Sequence, residues 1–238
     1  MATASTVNPE IALQVRRFWA AAGIVPSYPV DLTSVACLAL PLGVVHLPDL
    51  TTEALDAWFG SAAPRPNLLL HGALLARRGR GLILVDSRDS LDEQRMSIAH
   101  ECGHFIFDYL EPRKHVVRVL GNKVLEILDG DRSPTAVERV DSLLAGVPLG
   151  HYIHFIEKRL KDDSYEVLRA ESIADAFALE LVAPTQDAVR RSKGLTSIEI
   201  LSELLARDFG IPLMVARSYG RSLLLNQSLP IREWLGLQ

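Results

Sequence analysis

The segment SLDEQRMSIAHECGHFIFDYL, residues 90–110, places two histidines four positions apart in a stretch that predicts a single helix. Ser90 and Glu93 have the spacing of a capping box, and apolar residues recur with helical spacing after them. Residues four apart lie on one face of a helix, so the imidazoles of His100 and His104 can reach the same ion. The helix is therefore a candidate metal-binding element.

The glutamate after the first histidine suggests what such a metal would do. Glu101 lies about 100° around the helix from His100, close to a shared ion without having to bind it. His-Glu-x-x-His is the spacing of zinc peptidases, in which zinc lowers the pKa of bound water to about 7 and the glutamate accepts a proton. The alternative is an ordinary amphipathic helix that carries two histidines.

A second pattern supplies the acid that such a site needs. In ESIAD, Glu171 and Asp175 are again four apart and share a face of a predicted helix. Two acids among apolar neighbours such as Ile173 and Phe177 are costly unless something cationic lies beside them. The pair therefore favours a third metal ligand on this helix, and an acidic stripe on a half-exposed helix is the alternative.

The rest of the chain predicts an α+β fold that is mainly helical, with a small antiparallel sheet and a C-terminal helix pair. A strand is predicted at residues 43–47 and a hairpin within 68–87. The segment HYIHFIEKRL, residues 151–160, is interpreted as a helix, and Pro112 is expected to close the motif helix. The other predicted helices cover residues 9–23, 31–40, 51–60, 135–144, 165–183 and 196–225.

We expect three parts in this chain of 238 residues. They are an N-terminal helix at 1–26, a metallopeptidase-like domain at 27–192 and a C-terminal helical, helix-turn-helix-like region at 193–238 that packs on the core. Glu171 follows His104 by 67 positions, which is more than is usual in the zinc peptidases that the two motifs resemble, and the resemblance therefore implies an insertion at about residues 111–169. This insertion is either a lid or substrate-selecting element over the site, or a surface elaboration.

Composition limits the classes of function. A net charge of −4 gives no general attraction for nucleic acid or an anionic membrane. Only two cysteines are present, Cys37 and Cys102, which is typical of a reducing compartment. The longest apolar run, residues 35–47, is too short to span a bilayer. We expect a cytoplasmic protein without membrane or nucleic-acid partners.

Both motifs together resemble the ImmA/IrrE family of bacterial and phage zinc metallopeptidases. RMSIAHECGHFIF is similar to the family's approach to Ala-His-Glu-x-x-His, and ESIADAFALELVAP to its downstream helix. The resemblance extends over about residues 27–222 and implies a zincin-like domain. The positions that match the downstream pattern are Glu171, Ala174, Asp175, Phe177, Ala178, Leu181 and Pro184.

The resemblance also implies a role for each motif residue. His100, His104 and Glu171 would bind one Zn²⁺ per chain, and Glu101 would act as general base and then proton donor. Asp175 would orient the first histidine. A group that stabilises the oxyanion is needed too, and four residues are candidates for it: His151, Tyr152, His154 and Tyr109.

Members of this family are endopeptidases that cleave helix-turn-helix repressors and thereby release genes for stress response or mobile-element transfer. By resemblance, the substrate here would be a regulatory protein of that kind. From the resemblance, we expect the predicted hairpin at 68–87 to offer an edge strand to an extended substrate.

Two other functions stay open. LTSIEILSELLARDFGIPLMVARSYGRSLL has the outline of a DNA-binding helix-turn-helix. Residues 193–225, however, hold only four basic residues against three acidic ones, which is few for phosphate contacts. A metal-bound sensor without peptidase activity is the second alternative. Glu101 favours catalysis over this alternative, because a structural zinc site has four protein ligands and no open position.

Overall fold

The computed structural model describes residues 7–59, 66–133, 135, 147–158 and 165–227. In these residues, helices surround a small four-stranded sheet, and this confirms the prediction of a mainly helical α+β fold. The strands are β1 (Leu42–Leu47), β2 (Leu70–Arg77), β3 (Arg80–Asp86) and β4 (Tyr152–Glu157). The helices are α1 (Pro9–Ala22), α2 (Leu32–Ala39), α3 (Thr52–Phe59), α4 (Leu91–His104), α5 (Glu111–Leu120), α6 (Leu125–Leu128), α7 (Tyr165–Val182), α8 (Thr185–Ser192), α9 (Ile198–Phe209) and α10 (Leu213–Gln227).

The sheet has the strand order β1-β3-β2-β4. It is mixed rather than purely antiparallel, because β1 runs parallel to β3 while β2 is antiparallel to both of its neighbours. The predicted hairpin is formed by β2 and β3, and each of these strands has a second neighbour. The expectation that the hairpin offers a free edge to a substrate is therefore wrong, and the edges of the sheet are β1 and β4.

Helix α4 begins as its sequence predicts. The side chain of Ser90 accepts a hydrogen bond from the backbone N–H of Glu93, and the Glu93 carboxylate accepts one from the backbone N–H of Ser90. After His104 the helix widens into a π-helical segment, Phe105–Leu110, and then continues as α5. Pro112 does not close it, because the proline lies in the first turn of α5, where its missing N–H is not required.

The predicted helix at 151–160 is wrong for the part that the structure describes. Residues 152–157 form β4, which pairs with β2. Its aromatic and β-branched residues suit a strand, and β2 provides the backbone partners that stabilise it. His151 and Lys158 flank the strand, and residues 159–160 lie outside the described residues, as does nearly all of the predicted helix at 135–144.

One buried cluster joins the sheet to the helices on one of its faces. It includes Leu74 of β2, Ile83 of β3, Phe105 after α4 and Phe177 of α7. Phe18 of α1 belongs to the same cluster and meets the ring of Phe177 edge-on. The position of α7 against α4 is thus fixed by the main core of the molecule.

The C-terminal helix pair also contacts this core. Leu205 of α9 lies in the cluster, and Tyr219 of α10 donates a hydrogen bond to the carbonyl of Ala183. Gly210 has a left-handed conformation in the turn between the helices, and its carbonyl accepts a hydrogen bond from Arg95 of α4. The domain boundaries at residues 26 and 192 stay predictions.

Among the described residues, no helix combines the length and the apolar character that a membrane-spanning helix needs.

Candidate metal centre

Helix α4 holds the three motif residues in the interior. His100 is 7% exposed, His104 1% and Glu101 0%. The Nε2 atoms of the two histidines lie 3.0 Å apart, which places both imidazoles at one point beside the helix. The four-residue spacing therefore places both rings beside the same small volume, as the sequence predicts.

Helix α7 brings the predicted acid to that point. Glu171 Oε2 lies 3.2 Å from His100 Nε2, and Glu171 Oε1 lies 3.5 Å from His104 Nε2. This approach depends on Gly103, because a Cβ atom at that position would lie 2.9 Å from the backbone Cα of Ala174 on α7. A glycine at the helix crossing thus allows the two motifs to meet.

A third imidazole enters from the sheet. His154 of β4 places Nε2 2.8 Å from Glu171 Oε1, and its ring stacks on that of His104 at a centroid distance of 3.7 Å. His154 lies inside the predicted insertion, so at least this part of the insertion is neither remote from the site nor a simple surface elaboration.

These four residues could hold a metal ion. One donor atom from each of His100, His104, His154 and Glu171 lies within 4.8 Å of every other. Zinc bonds of 2.0–2.1 Å in a tetrahedron correspond to ligand–ligand distances of about 3.3 Å. The distances of 2.8–3.5 Å given above for these donors lie close to that value. Three imidazoles and one carboxylate are ligands that suit zinc and other transition metals.

Each of the three imidazoles also has a carboxylate on its other nitrogen. The Nδ1 atom of His100 lies 2.9 Å from Asp175, that of His104 2.5 Å from Asp108, and that of His154 3.0 Å from Glu101. A carboxylate on the second nitrogen fixes the orientation of a metal-binding histidine and makes it a stronger ligand. Every Nε2 atom is therefore directed toward the shared point.

The acidic surroundings make two of the imidazoles basic. Burial alone would lower the pKa of His100, but hydrogen bonds to Asp175 and Glu171 outweigh burial and raise the pKa to about 9. Burial would lower the pKa of His154 as well, and the charge and hydrogen bonding of Glu101 together with Glu171 raise it to about 10. A metal ion bound here would replace protons on these rings.

Glu171 shows the converse effect. Burial would raise the pKa of this carboxylate, but the hydrogen bonds from His100, His104 and His154 hold it well below its usual range. Glu171 is therefore an anion at any pH near neutrality, which is the form that binds a metal.

The other candidates for the oxyanion have different contacts. His151 is exposed, and the hydroxyl of Tyr152 donates to Asp108 at 3.3 Å. The hydroxyl of Tyr109 accepts a hydrogen bond from the backbone N–H of Gly79 in the β2–β3 turn. Of the four candidates, the structure brings His154 alone into the metal-binding group of the described residues.

Two features escaped the sequence interpretation. Asp108 was not singled out, although its position four residues after His104 in the same helical run was a usable signal. His154 is predicted from the sequence only as an oxyanion candidate, and residues 151–160 are predicted to be a helix. The aromatic and β-branched residues of YIHFIE are the available sign that His154 lies on a strand.

Comparison with known proteins locates the first motif in a family. No curated protein matches the chain significantly. The model of the IrrE N-terminal-like domain, Peptidase_M78, matches residues 67–123, which include the β2–β3 hairpin, α4 and α5 but not Glu171. This match confirms the resemblance of the chain to the ImmA/IrrE family of metallopeptidases.

Proposed function

We propose that this protein is a zinc-dependent endopeptidase. The observation that carries the proposal is the meeting of two distant motifs, in which Glu171 of α7 contacts both His100 and His104 of α4. The family match indicates a metallopeptidase, and the metal-binding group has the ligand types that zinc prefers.

The residues of the site would have distinct roles. His100, His104 and Glu171 would hold the zinc ion, and Asp175 and Asp108 would orient the two histidines. When bound, zinc polarises a carbonyl and lowers the pKa of water to about 7.

Glu101 is the residue that moves a proton. Its carboxylate would accept the proton of the attacking water as the new C–O bond forms on the peptide carbonyl. It would then pass that proton to the leaving nitrogen as the C–N bond breaks, so that a carboxylic acid and an amine result. Its complete burial favours transfer over a short, fixed distance.

The proposed substrate is a regulatory protein, in particular a helix-turn-helix repressor, and the support for it is the family resemblance. The cytoplasm is the proposed location, since both cysteines are unpaired. A role in stress response or transcription regulation would follow from cleavage of such a repressor.

The test compares Glu101→Gln with wild type and with Glu203→Gln, a matched change of an exposed glutamate on α9. Each protein is loaded with zinc and incubated with a set of purified helix-turn-helix repressors and a fluorescence-quenched peptide library. We expect Glu101→Gln to retain zinc and to cleave at least a hundredfold more slowly, following the size of general acid–base effects of about 10²–10⁴. Cleavage that survives this substitution would refute the proposal.

A second candidate function is supported by His154. With it, the site offers four protein donors, which is the number found in structural zinc sites. A metal-bound sensor without peptidase activity would have such a site. DNA binding by the C-terminal helices has less support, because α9 and α10 contact the core and Arg95.

A further inference from the structure

We propose that His154 is a fourth metal ligand and that its strand, β4, closes the metal centre in the state described here. The ligand assignment stands on the geometry of the site. Its consequence, that the closed state is a latent peptidase, rests on the proposed function.

The first argument is the position of the ring. His154 Nε2 is as close to the shared carboxylate of Glu171 as the nitrogens of the α4 histidines are, at 2.8 Å against 3.2 Å and 3.5 Å. A substrate-binding histidine would be expected to stand farther from the metal ligands, since a substrate carbonyl must fit between it and the metal. Here the ring lies against His104 with no such space.

The second argument is the contact on the other nitrogen. His154 has a carboxylate at Nδ1, as His100 and His104 do, and that carboxylate belongs to Glu101. The same arrangement on all three rings indicates the same role for all three. It also means that the proposed general base is occupied in this state, because its carboxylate contacts His154 through both oxygens.

The third argument concerns the strand that carries the histidine. β4 is an edge strand, and none of its six residues is fully buried, whereas most residues of β2 are. Beyond its pairing with β2, the strand packs only through partly buried side chains, Tyr152 against the main cluster and Phe155 against a smaller one. Polar contacts that water can replace join Tyr152 to Asp108, and Lys158 just after the strand to Asp86 and Asp89. Such a strand can separate from the sheet at a lower free-energy cost than one packed into the core.

Departure of β4 would change two things at once. It would remove one of four protein donors and so open the coordination position that a catalytic zinc site requires. It would also release the carboxylate of Glu101. A partner protein that binds β4, including a substrate that takes its place, would therefore activate the site.

The test needs a probe that binds only to an open metal site. Acetohydroxamate binds a metal through two oxygens, and its binding to the cobalt-loaded full-length protein changes the visible absorption spectrum. Wild type is compared with His154→Phe, which fills the same space without a donor atom, and with His154→Ala. The matched control is His115→Ala, which changes an exposed histidine of α5 outside the metal-binding group.

We expect acetohydroxamate to bind both His154 variants at least about tenfold more tightly than wild type or His115→Ala. Zinc affinity, measured by competition with a chelator, should fall by about tenfold or more in the same two variants. Circular dichroism verifies that each variant is folded. The acetohydroxamate titration of wild type can be interpreted even if a variant does not fold. The proposal is overturned if the hydroxamate binds wild type as tightly as His154→Phe, or if both variants keep the zinc affinity of wild type.

The same proteins separate this inference from the proposed function. If His154→Phe opens the site and then cleaves peptides faster than wild type, both hold. If the hydroxamate and zinc results are as expected but no protein cleaves any substrate, His154 is a ligand and the peptidase proposal fails. If wild type cleaves and His154→Phe is inactive with unchanged zinc affinity, His154 serves catalysis directly and the inference fails.

Discussion

Gly103 lies at the crossing of α4 and α7, between the histidine motif and the helix that carries Glu171. Replacing it by alanine tests whether the closeness of these two helices creates the metal site. The added Cβ atom would lie 2.9 Å from the backbone Cα of Ala174, about half an ångström closer than the 3.4 Å at which ordinary contacts begin. Because the obstacle is backbone, the helices themselves must move apart.

The size of the effect follows from that distance. Alanine favours the helix by about 1 kcal/mol relative to glycine, while overpacking of this kind costs about 1–3 kcal/mol. The free energy of unfolding should therefore fall by no more than about 2 kcal/mol. Metal–ligand distances, by contrast, tolerate changes of about 0.2 Å. Glu171 is one turn from Ala174, so a shift of half an ångström should weaken zinc binding by at least about tenfold, or about 1.4 kcal/mol.

Chelator competition measures the zinc affinity of Gly103→Ala, and urea denaturation measures its stability. The matched control is Gly220→Ala on α10, where the new Cβ would lie 3.0 Å from the end of the Ile198 side chain, which can rotate away, and in ordinary contact with the side chain of Leu201. This control should keep full zinc affinity and be as stable as wild type or more so. Zinc binding by Gly103→Ala within twofold of wild type would show that the close helix crossing does not determine the site.

Two further predictions concern the groups around α4. Asp108→Asn should weaken zinc binding about 10–100-fold, because His104 loses the carboxylate that orients it. Asp187→Asn on α8, whose carboxylate pairs with Arg190 outside the metal-binding group, should not weaken it, and equal affinities in the two variants would contradict the assigned role of Asp108. Ser90→Ala should lower the free energy of unfolding by about 1 kcal/mol at pH 7 in urea denaturation. The backbone and hydroxyl of Ser90 hold the pKa of Glu93 below its ordinary 4.5, so the stability that this pair contributes is present above pH 4.5 and is lost as the pH falls through the lowered pKa. The difference between Ser90→Ala and wild type should accordingly shrink as the pH falls below 4.5. A difference that does not depend on pH would show that the hydrogen bond from the Ser90 hydroxyl to the Glu93 carboxylate does not stabilise the cap.

The local elements of the site could be predicted because short-range rules decide them. The capping box determines where α4 begins, and the four-residue spacing of His100 and His104 determines that both rings lie on one face. Pro112 shows the limit of such rules, since the same residue either ends a helix or begins the next turn of one. The sequence does not say which, because the π-helical segment before it depends on how the chain packs.

The strand β4 shows a different limit. The segment YIHFIE is rich in aromatic and β-branched residues but does not alternate strictly between apolar and polar ones. Its secondary structure therefore depends on whether a sheet edge is available. β2 provides that edge, more than seventy residues earlier in the chain. This long-range pairing, which local propensity does not encode, decides that His154 lies at the metal centre.

The sequence alone determined the pair of histidines, the glutamate between them and the two acids on a second helix, together with the resemblance to a metallopeptidase family. The tertiary structure decided that four metal-binding side chains meet at one point, and that His154 contacts Glu101 there. Helix spacing is a property of neighbouring residues and is therefore visible in the sequence. The approach of α7 over Gly103 and the arrival of His154 on an edge strand depend on packing between residues far apart in the chain, which only the folded molecule shows.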